Sequence, residues 1–296
     1  MEKISDLRII TVFYSKEQAE YFLVKNYASI QKFAIPLTII DNGDNSVLLS
    51  SFNEIEYIKN DKNKGYGYSA NRGIERAGER FILLMNDDIT LSEEFLSNLL
   101  QNLSLYARNN YAIVGFRVLS KHSEKVGIHI ITYNPFIILY HFSIIPFLLS
   151  LFSKKNGYIG SLESIHSRFS SKEVSGVNGS VMLLDRKKFN SLKGFDEEYF
   201  LTYEETDLFI RTLKRGMKIY YDSTLKAVHR HTLTSGNESL KYSFKSMMIF
   251  LRKHYGSFWQ KFLYIWIYLF LSVKRIITFN KHGEEIEILK KSKEII

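Results

Sequence analysis

The chain has 296 residues, 45% of them hydrophobic and 24% charged. That suffices for one large α/β domain with an appendage or for two small domains, and it is too apolar for long disorder. No cysteine is present, which excludes disulfides, thiolate metal sites and cysteine nucleophiles. The net charge of +9, from 40 Lys and Arg against 31 Asp and Glu, points to nucleic acid, an anionic membrane surface or phosphorylated substrates. No zinc-finger spacing or RNP-like motif appears, so no nucleic-acid partner is expected. Nothing in the pattern specifies an oligomeric state.

The opening "MEKISDLRIITVF" lacks a basic segment followed by a long apolar one, so it reads as a first strand with a cytosolic start rather than a signal peptide. From residue 7 to 118, short apolar runs alternate with helical patterns. "LRIITVF" (7–13), "LTIID" (37–41), "IEYIK" (55–59), "FILLMN" (81–86) and "YAIVGF" (111–116) are expected strands. Residues 16–33 and 92–108 read as helices, the second capped by Ser92 and carrying an apolar stripe of Phe95, Leu96, Leu99, Leu100 and Leu103. This alternation predicts a mostly parallel sheet covered by helices. In such sheets ligands bind beyond the carboxyl ends of the strands. Here those ends read "DNGDN", "NDKNKGYG" and "NDDI", three polar turns that together form a candidate nucleotide pocket.

Residues 134–152, "NPFIILYHFSIIPFLLSLF", carry no Asp, Glu, Lys or Arg. Three readings stay open for them: a surface-inserting or acceptor-facing segment, a buried segment, or a membrane span. A second α/β block covers 174–231, with a strand at 181–185, a short helix from Arg186 stopped by Gly194, a helix over 204–216, and strands "KIYYD" and "KAVHRH". Residues 238–279 are helical in pattern, aromatic and basic. Their stretch "FLYIWIYLFLSV" (262–273) is too short to span a bilayer and suits a buried or interfacial helix. The tail "NKHGEEIEILKKSKEII" reads as a solvated helix or a frayed end.

Four stretches carry chemistry. "GYGYSA" (65–70) spells a G-x-G-x-x-A dinucleotide fingerprint with aspartates about twenty residues on, as an NAD-dependent oxidoreductase would have. Polar residues separate it from its strand, however, and it is not in the first βα turn. "MNDDI" places Asp87 and Asp88 after an apolar strand. Adjacent carboxylates need compensation, so the pair either holds Mg2+ or Mn2+ against a diphosphate or forms a solvated turn. "YEETD" puts Glu204, Glu205 and Asp207 in one helical turn. These acids supply a general base, or they serve the helix start through a Thr202–Glu205 capping box and an Asp207–Arg211 pair. In "VHRH", His229 and His231 alternate on a strand, so only one can enter a site, where imidazole suits a Mn2+-class metal.

The order of "IIDNGD" (39–44), "NKGYGYSANRGI" (63–74), "LLMNDDI" (83–89), "NGSVMLLDRKKFNSLKGFDEEYFLTYEETDLFIR" (178–211) and "AVHRHTLTSG" (227–236) resembles the family-two glycosyltransferases of GT-A fold, especially their bacterial rhamnosyltransferase-like branch. The resemblance implies an α/β, Rossmann-like nucleotide-diphospho-sugar transferase fold over 1–236 and a membrane-proximal helical extension over 237–296. Within the former, 1–118 forms the nucleotide half, 119–173 an apolar insertion or acceptor-side segment, and 174–236 the acceptor and catalytic half.

It further implies nucleotide-sugar contacts from the backbone near Thr11, Phe13 and Tyr14, and from Asp41, Asn42, Asn63, Gly65, Asn71, Gly73 and Asp87. Metal (Mg2+ or Mn2+) is implied at Asp88 and His229, and an acceptor side at Asn178, Gly179, Phe195 and Asp196. Glu205 is implied as general base, with Glu204 and Asp207 beside it. Two positions depart from the family pattern. Asn86, at the first position of the D-x-D-like motif, carries no charge, and Glu205 is a methylene longer than the usual Asp. The implied reaction is inverting transfer of rhamnose or another hexose from a nucleoside-diphosphate donor to a saccharide or lipid-linked acceptor in surface polysaccharide synthesis. The implied location is cytoplasmic, peripheral on the inner face of the bacterial plasma membrane. A non-catalytic carbohydrate-binding protein on the same fold is the alternative, against which the acids at 88, 205 and 207 speak.

Overall fold

A computed structural model describes residues 6–45, 52, 54–120, 135–143, 170–230, 237–277 and 283–291. The chain divides into two compact units. The first comprises Met1–Ile130, Glu163–Glu197 and Glu205–Thr232, and the second Ile131–Leu162, Glu198–Glu204 and Leu233–Ile296.

The first unit is built on strands β1 (Leu7–Phe13), β2 (Leu37–Asp41), β3 (Ile55–Lys59), β4 (Phe81–Asn86), β5 (Ile89–Thr90), β6 (Tyr111–Ser120), β7 (Lys172–Val174), β8 (Val181–Asp185) and β9 (Lys218–His229). They form one sheet in the order β3-β2-β1-β4-β8-β6-β9-β5, with β7 on β9. The expected parallel pairing holds among β3, β2, β1 and β4 and again between β6 and β9. The sheet is nevertheless mixed, because β8 runs antiparallel to both β4 and β6, and β5 and β7 run antiparallel to β9. The two separate strands expected over 218–231 are one strand, with a register shift opposite Phe116 and Arg117.

Strand alternation divides the core. Leu7, Ile9 and Phe13 pack with Leu37, Ile39, Leu83 and Met85 beneath the helices that follow β1 and β5. The helix after β1 runs as α1 (Lys16–Phe22), a π turn (Leu23–Tyr27) and α2 (Ala28–Lys32). Ser15 caps it, accepting from the Gln18 amide. Ser92 likewise caps α4 (Glu93–Arg108), whose Phe95, Leu96, Leu99 and Leu103 are buried, as the stripe predicts. On the opposite sheet face lies α3 (Tyr66–Arg76). A Cβ at Gly73 would stand 2.6 Å from Ile40 Cδ1 and 2.9 Å from Ile10 Cγ2, so only glycine lets α3 approach this closely. The unit is completed by α6 (Arg186–Ser191) and, from Glu205 on, by α7 (Glu204–Lys214), which are followed by left-handed glycines, Gly194 and Gly216.

The register fixes where loops converge. Phe13 pairs with Asp41, Asp41 with Lys59, and Val12 with Asn86. The ends of β1, β2, β3 and β4 therefore lie level, and the turns after them open at one edge of the sheet, where parallel α/β sheets bind ligands.

The second unit is helical: α5 (Pro135–His141), α8 (Asn237–Tyr255), α9 (Ser257–Ile277) and α10 (Gly283–Lys291). Ile138, Met248, Leu251, Leu263, Ile267 and Leu289 are among its core residues. The tail is not solvated throughout, because α10 buries Ile286, Ile288 and Leu289. Residues 144–152 of the apolar stretch lie outside the described residues. No described helix is long and apolar enough to cross a membrane.

Candidate functional site

The site grows from the turn after β4. Burial, together with the neighbouring Asp88, pushes the Asp87 carboxyl up to about 7. Asp88 meets His229, the last residue of β9, with Oδ1 2.9 Å from Nε2. The pairing of Ile89 with His229 and the bond from the Arg230 amide to the Asp88 carbonyl (2.9 Å) set this approach. Behind the turn stands a residue that no sequence pattern flagged. Asn26, carried by the π turn, donates to the Phe22 and Ile89 carbonyls (3.2 and 2.9 Å) and accepts from the Leu91 amide (2.9 Å). It fixes the segment that immediately follows the two aspartates. Single π turns of this kind are frequent at functional sites.

The 178–180 turn joins the acid turn to Glu205. Asn178 Oδ1 accepts from the Ser180 amide (2.9 Å), and the Ser180 carbonyl accepts from the Asn86 amide (2.8 Å). Between them sits Gly179, directly under Glu205. A Cβ there would stand 2.1 Å from Glu205 Oε1 and 2.6 Å from its Cδ. The structure thus links Glu205, Gly179 and the start of the "NDD" segment in one run of contacts. Glu204 is buried, whereas Glu205 is only partly so.

Other expected site residues are held by contacts within the scaffold. Asp207 pairs with Arg211 (2.6 Å), whose guanidinium also donates to the Leu192 and Gly194 carbonyls, so Asp207 is committed to an ion pair that braces that loop. Asn71 is a clamp between α3 and the 195–197 segment. It donates to the Phe195 carbonyl and to Glu197 Oε1 and accepts from the Phe195 amide, each at 2.9 Å. Phe195 is buried against Phe189 and Tyr66, which leaves it no acceptor-facing ring. Gly73 lies within α3, where it packs closely against Ile40 and Ile10 of the sheet. Thr11 pairs with Ile39 and Met85 on its two sides, and its buried hydroxyl has no hydrogen-bond partner among the described residues. Its backbone is therefore committed to the sheet. Asp196 is partly buried in the same loop as Phe195.

The remaining nucleotide-side residues do line the strand ends, and they hold one another. Asp41 is fully buried, and its carboxylate accepts from the Gly43 and Asn45 amides, Asn45 Nδ2 and the Tyr57 hydroxyl, all within 2.9 Å. Burial and this bond to Asp41 push the Tyr57 phenol up. These bonds tie Asp41 to the 42–45 turn and to Tyr57 of β3. Asn42 accepts from Asn60 Nδ2 (2.7 Å) and from Ser69 Oγ (3.0 Å), and Arg72 bonds Asn60 in turn. Asn63 accepts from the Gly65 amide (2.9 Å), and Gly65 opens α3 at φ 101°. Phe13 contributes its carbonyl to the Asn42 amide, while its ring packs on Phe22. Tyr14, the residue after β1, is exposed. The expected capping box at the start of α7 does not form, because Thr202 lies at φ 65°, outside the range of an N-cap. His231 lies outside the described residues.

Among the described residues no group of three or more His, Asp or Glu side chains converges as a closed metal cage. The Asp88–His229 pair offers one carboxylate oxygen and one imidazole nitrogen beside a carboxyl whose charge burial opposes. That donor set fits an Mg2+ or Mn2+ ion completed by substrate oxygens.

A mixed α/β sheet with polar turns at its strand ends, a buried acid pair after β4 and an acid at the start of α7 defines a GT-A type nucleotide-sugar transferase fold. The sequence profile of Glycosyl transferase family 2 matches residues 9–156, and the chain belongs to that family. The low-salt glycan biosynthesis hexosyltransferase Agl10 of Haloferax volcanii is 24% identical, over 76% of this chain and 67% of its own length. Rhamnosyltransferase WbbL of Escherichia coli is 26% identical over 56% of this chain and 60% of its own. The N-acetylglucosaminyl-diphospho-decaprenol L-rhamnosyltransferase of Mycobacterium tuberculosis is 30% identical over 31% of each. The chain thus spans between about a third and two thirds of these relatives. GalNAc-T7, solved with UDP, GalNAc and Mn2+, shares the fold at TM-score 0.57 and 10% identity, covering 89% of this chain and 50% of that one. Mannosyltransferase PcManGT of Pyrobaculum calidifontis, solved with GDP-Man and Mn2+, does so at 0.53 and 8%, covering 98% and 74%.

Proposed function

We propose that the protein is an inverting, metal-dependent hexosyltransferase. It moves rhamnose or another hexose from a nucleoside-diphosphate donor to a lipid-linked saccharide, in surface polysaccharide synthesis at the cytoplasmic face of the membrane. The observation that carries this reading is the run from Glu205 over Gly179 and through the Ser180–Asn86 bond to the turn that holds Asp88 against His229. It joins a partly exposed carboxylate to a cation-type donor pair.

Glu205 takes the proton from an acceptor hydroxyl. The hydroxyl oxygen bonds to the anomeric carbon as the bond from that carbon to the diphosphate oxygen breaks on the opposite face, and the electron pair leaves with the nucleoside diphosphate. The transition state has oxocarbenium character. Asp88 and His229 would hold the cation. When bound, a divalent cation supplies charge neutralisation to the departing diphosphate. Glu205, and not the buried Glu204, is the base in this reading.

A panel of dTDP-, UDP- and GDP-sugars with and without Mg2+ or Mn2+ tests it, with donor hydrolysis and transfer as readouts. We expect one donor class to turn over only with metal. Glu205→Gln should lose about 10²–10⁴-fold in turnover with donor binding kept. Wild-type turnover in Glu205→Gln removes Glu205 as base.

A further inference from the structure

Helix α9 is apolar on two opposite faces. Gln260, Leu263, Ile267 and Leu271 are buried in the helical unit. On the far side Phe258, Phe262, Ile265, Trp266, Leu269 and Ile276 are all exposed, Phe258 and Ile276 by more than 70%. Their spacing of four, three, one, three and seven keeps them within one arc of a 3.6-residue helix. Single exposed apolar side chains are ordinary on soluble proteins, but a continuous row of this size marks a contact surface. Helix α5 extends the row. Its Phe136 and Tyr140, one turn apart, are exposed, and Phe136 packs edge-on against Trp259 at 5.3 Å.

Charge identifies the occupant. Helix α9 contains no Asp or Glu, and its charged residues are Lys261, Lys274 and Arg275, all basic and set at either end of the charge-free run 262–273. Lys274 pairs with Glu285 of α10 (3.5 Å), while Lys261 and Arg275 stay exposed beside the row; an anionic lipid surface complements these two, and a second copy of α9 offers no acid to meet them. The charge-free run is about 18 Å long at the helical rise, short of the ~30 Å hydrocarbon core, so the helix can lie in the interface but cannot cross. The Trp266 indole N–H already donates to the Leu139 carbonyl (3.2 Å), so its ring can enter an apolar phase without leaving a donor unmet.

We propose that the outward face of α9, widened by Phe136 and Tyr140 of α5, is a monotopic docking surface for an anionic lipid bilayer. This deepens the reading above, on which it rests for the lipid-linked acceptor. The apolar row inserts at the boundary between headgroups and acyl chains, and Lys261 and Arg275 meet headgroup phosphates at the rim.

The full chain is mixed with vesicles of phosphatidylcholine alone or of phosphatidylcholine with phosphatidylglycerol. Binding is read by co-sedimentation and by tryptophan emission, to which only Trp259 and Trp266 contribute, both on α9. We expect binding and a blue shift with the anionic vesicles. Ile265→Glu/Leu269→Glu should lose both while keeping wild-type donor hydrolysis in solution. Lys261→Gln, which leaves the apolar row intact, should bind the anionic vesicles about fivefold more weakly. The inference is overturned if wild type binds neither vesicle, if the double variant binds as wild type does, or if sedimentation shows a wild-type dimer that the double variant abolishes without any vesicle binding. Loss of donor hydrolysis in wild type would instead refute the catalytic reading and leave the vesicle result standing.

Discussion

Gly179→Ala isolates the geometry of the proposed base. The added methyl carbon would meet Glu205 Oε1 at 2.1 Å, Cδ at 2.6 Å and Cγ at 2.7 Å. Ordinary carbon contacts lie near 3.5–4.0 Å, so the carboxylate must retreat by about 1 Å or more. The three nearest atoms all belong to the flexible Glu205 side chain. The fold therefore relieves the overlap by turning Glu205 aside rather than by moving the sheet, and stability should fall by less than about 1 kcal/mol. Turnover should not be spared, because a displacement of ~1 Å costs on the order of 10²-fold in rate. Steady-state transfer kinetics with a thermal melt alongside would read this out: kcat down about 10²-fold, donor KM unchanged, Tm nearly so. The double variant Gly179→Ala/Glu205→Gln should be no slower than Glu205→Gln alone, since both changes remove one group. Wild-type kcat in Gly179→Ala, or additive losses in the double variant, would refute the placement of Glu205 as base.

Two further outcomes follow from the acid turn and from α3. The Asp87 carboxyl rises from 3.8 to about 7 through burial and through Asp88. The folded state therefore holds that proton more tightly than the unfolded chain does. The stability this provides is fully present below about pH 4 and is lost as pH climbs through 7, on the order of 4 kcal/mol in all. In metal-free buffer Asp87→Asn should then raise Tm at pH 8 and not at pH 4, and Mn2+ should raise the wild-type Tm more at pH 8 than at pH 5.5; pH-independent shifts would contradict both. Asn71→Ala removes three hydrogen bonds and leaves the Phe195 amide buried without its acceptor. It should cost about 2–3 kcal/mol by denaturant unfolding while leaving donor KM as in wild type. A raised KM with unchanged stability would return Asn71 to the nucleotide.

The sequence carried the elements whose signals are local. Strands β1 to β4 sit at their expected bounds because each is a short run of β-branched and aromatic residues closed by polar turns. Ser92 caps α4 because a hydroxyl before two glutamates suits a helix start. What was not legible depends on contacts distant along the chain. The "GYGYSANRG" stretch resembles a phosphate loop, yet from Tyr66 on it is helix. Its Gly73 answers to Ile10 and Ile40, and its Asn71 to a segment more than 120 residues away. Periodicity cannot announce such partners. Asn26 was invisible for the same reason, since a π turn has no composition of its own. The antiparallel insertion of β8 between β4 and β6 escaped because a five-residue buried strand reads alike in either direction.

The acids near the start of α7 look interchangeable in sequence, and their partners separate them. Asp207 is held by Arg211, so its charge is spent within the scaffold and protonating it would also unseat the 192–194 loop. Glu204 is buried at the helix start. Glu205 alone lies on a glycine, on the turn that hydrogen-bonds to Asn86 one residue before the acid pair. A base must be both accessible to a hydroxyl and fixed relative to the leaving group. Partial exposure meets the first condition, and the Gly179–Ser180–Asn86 run meets the second. The methylene by which Glu exceeds Asp has a structural counterpart in the absent Cβ of Gly179: the longer side chain fits because the residue beneath it is the smallest available. On this argument Glu205→Asp should retain more turnover than Glu205→Gln, and Gly179→Ala should be partly rescued by the shorter acid at 205.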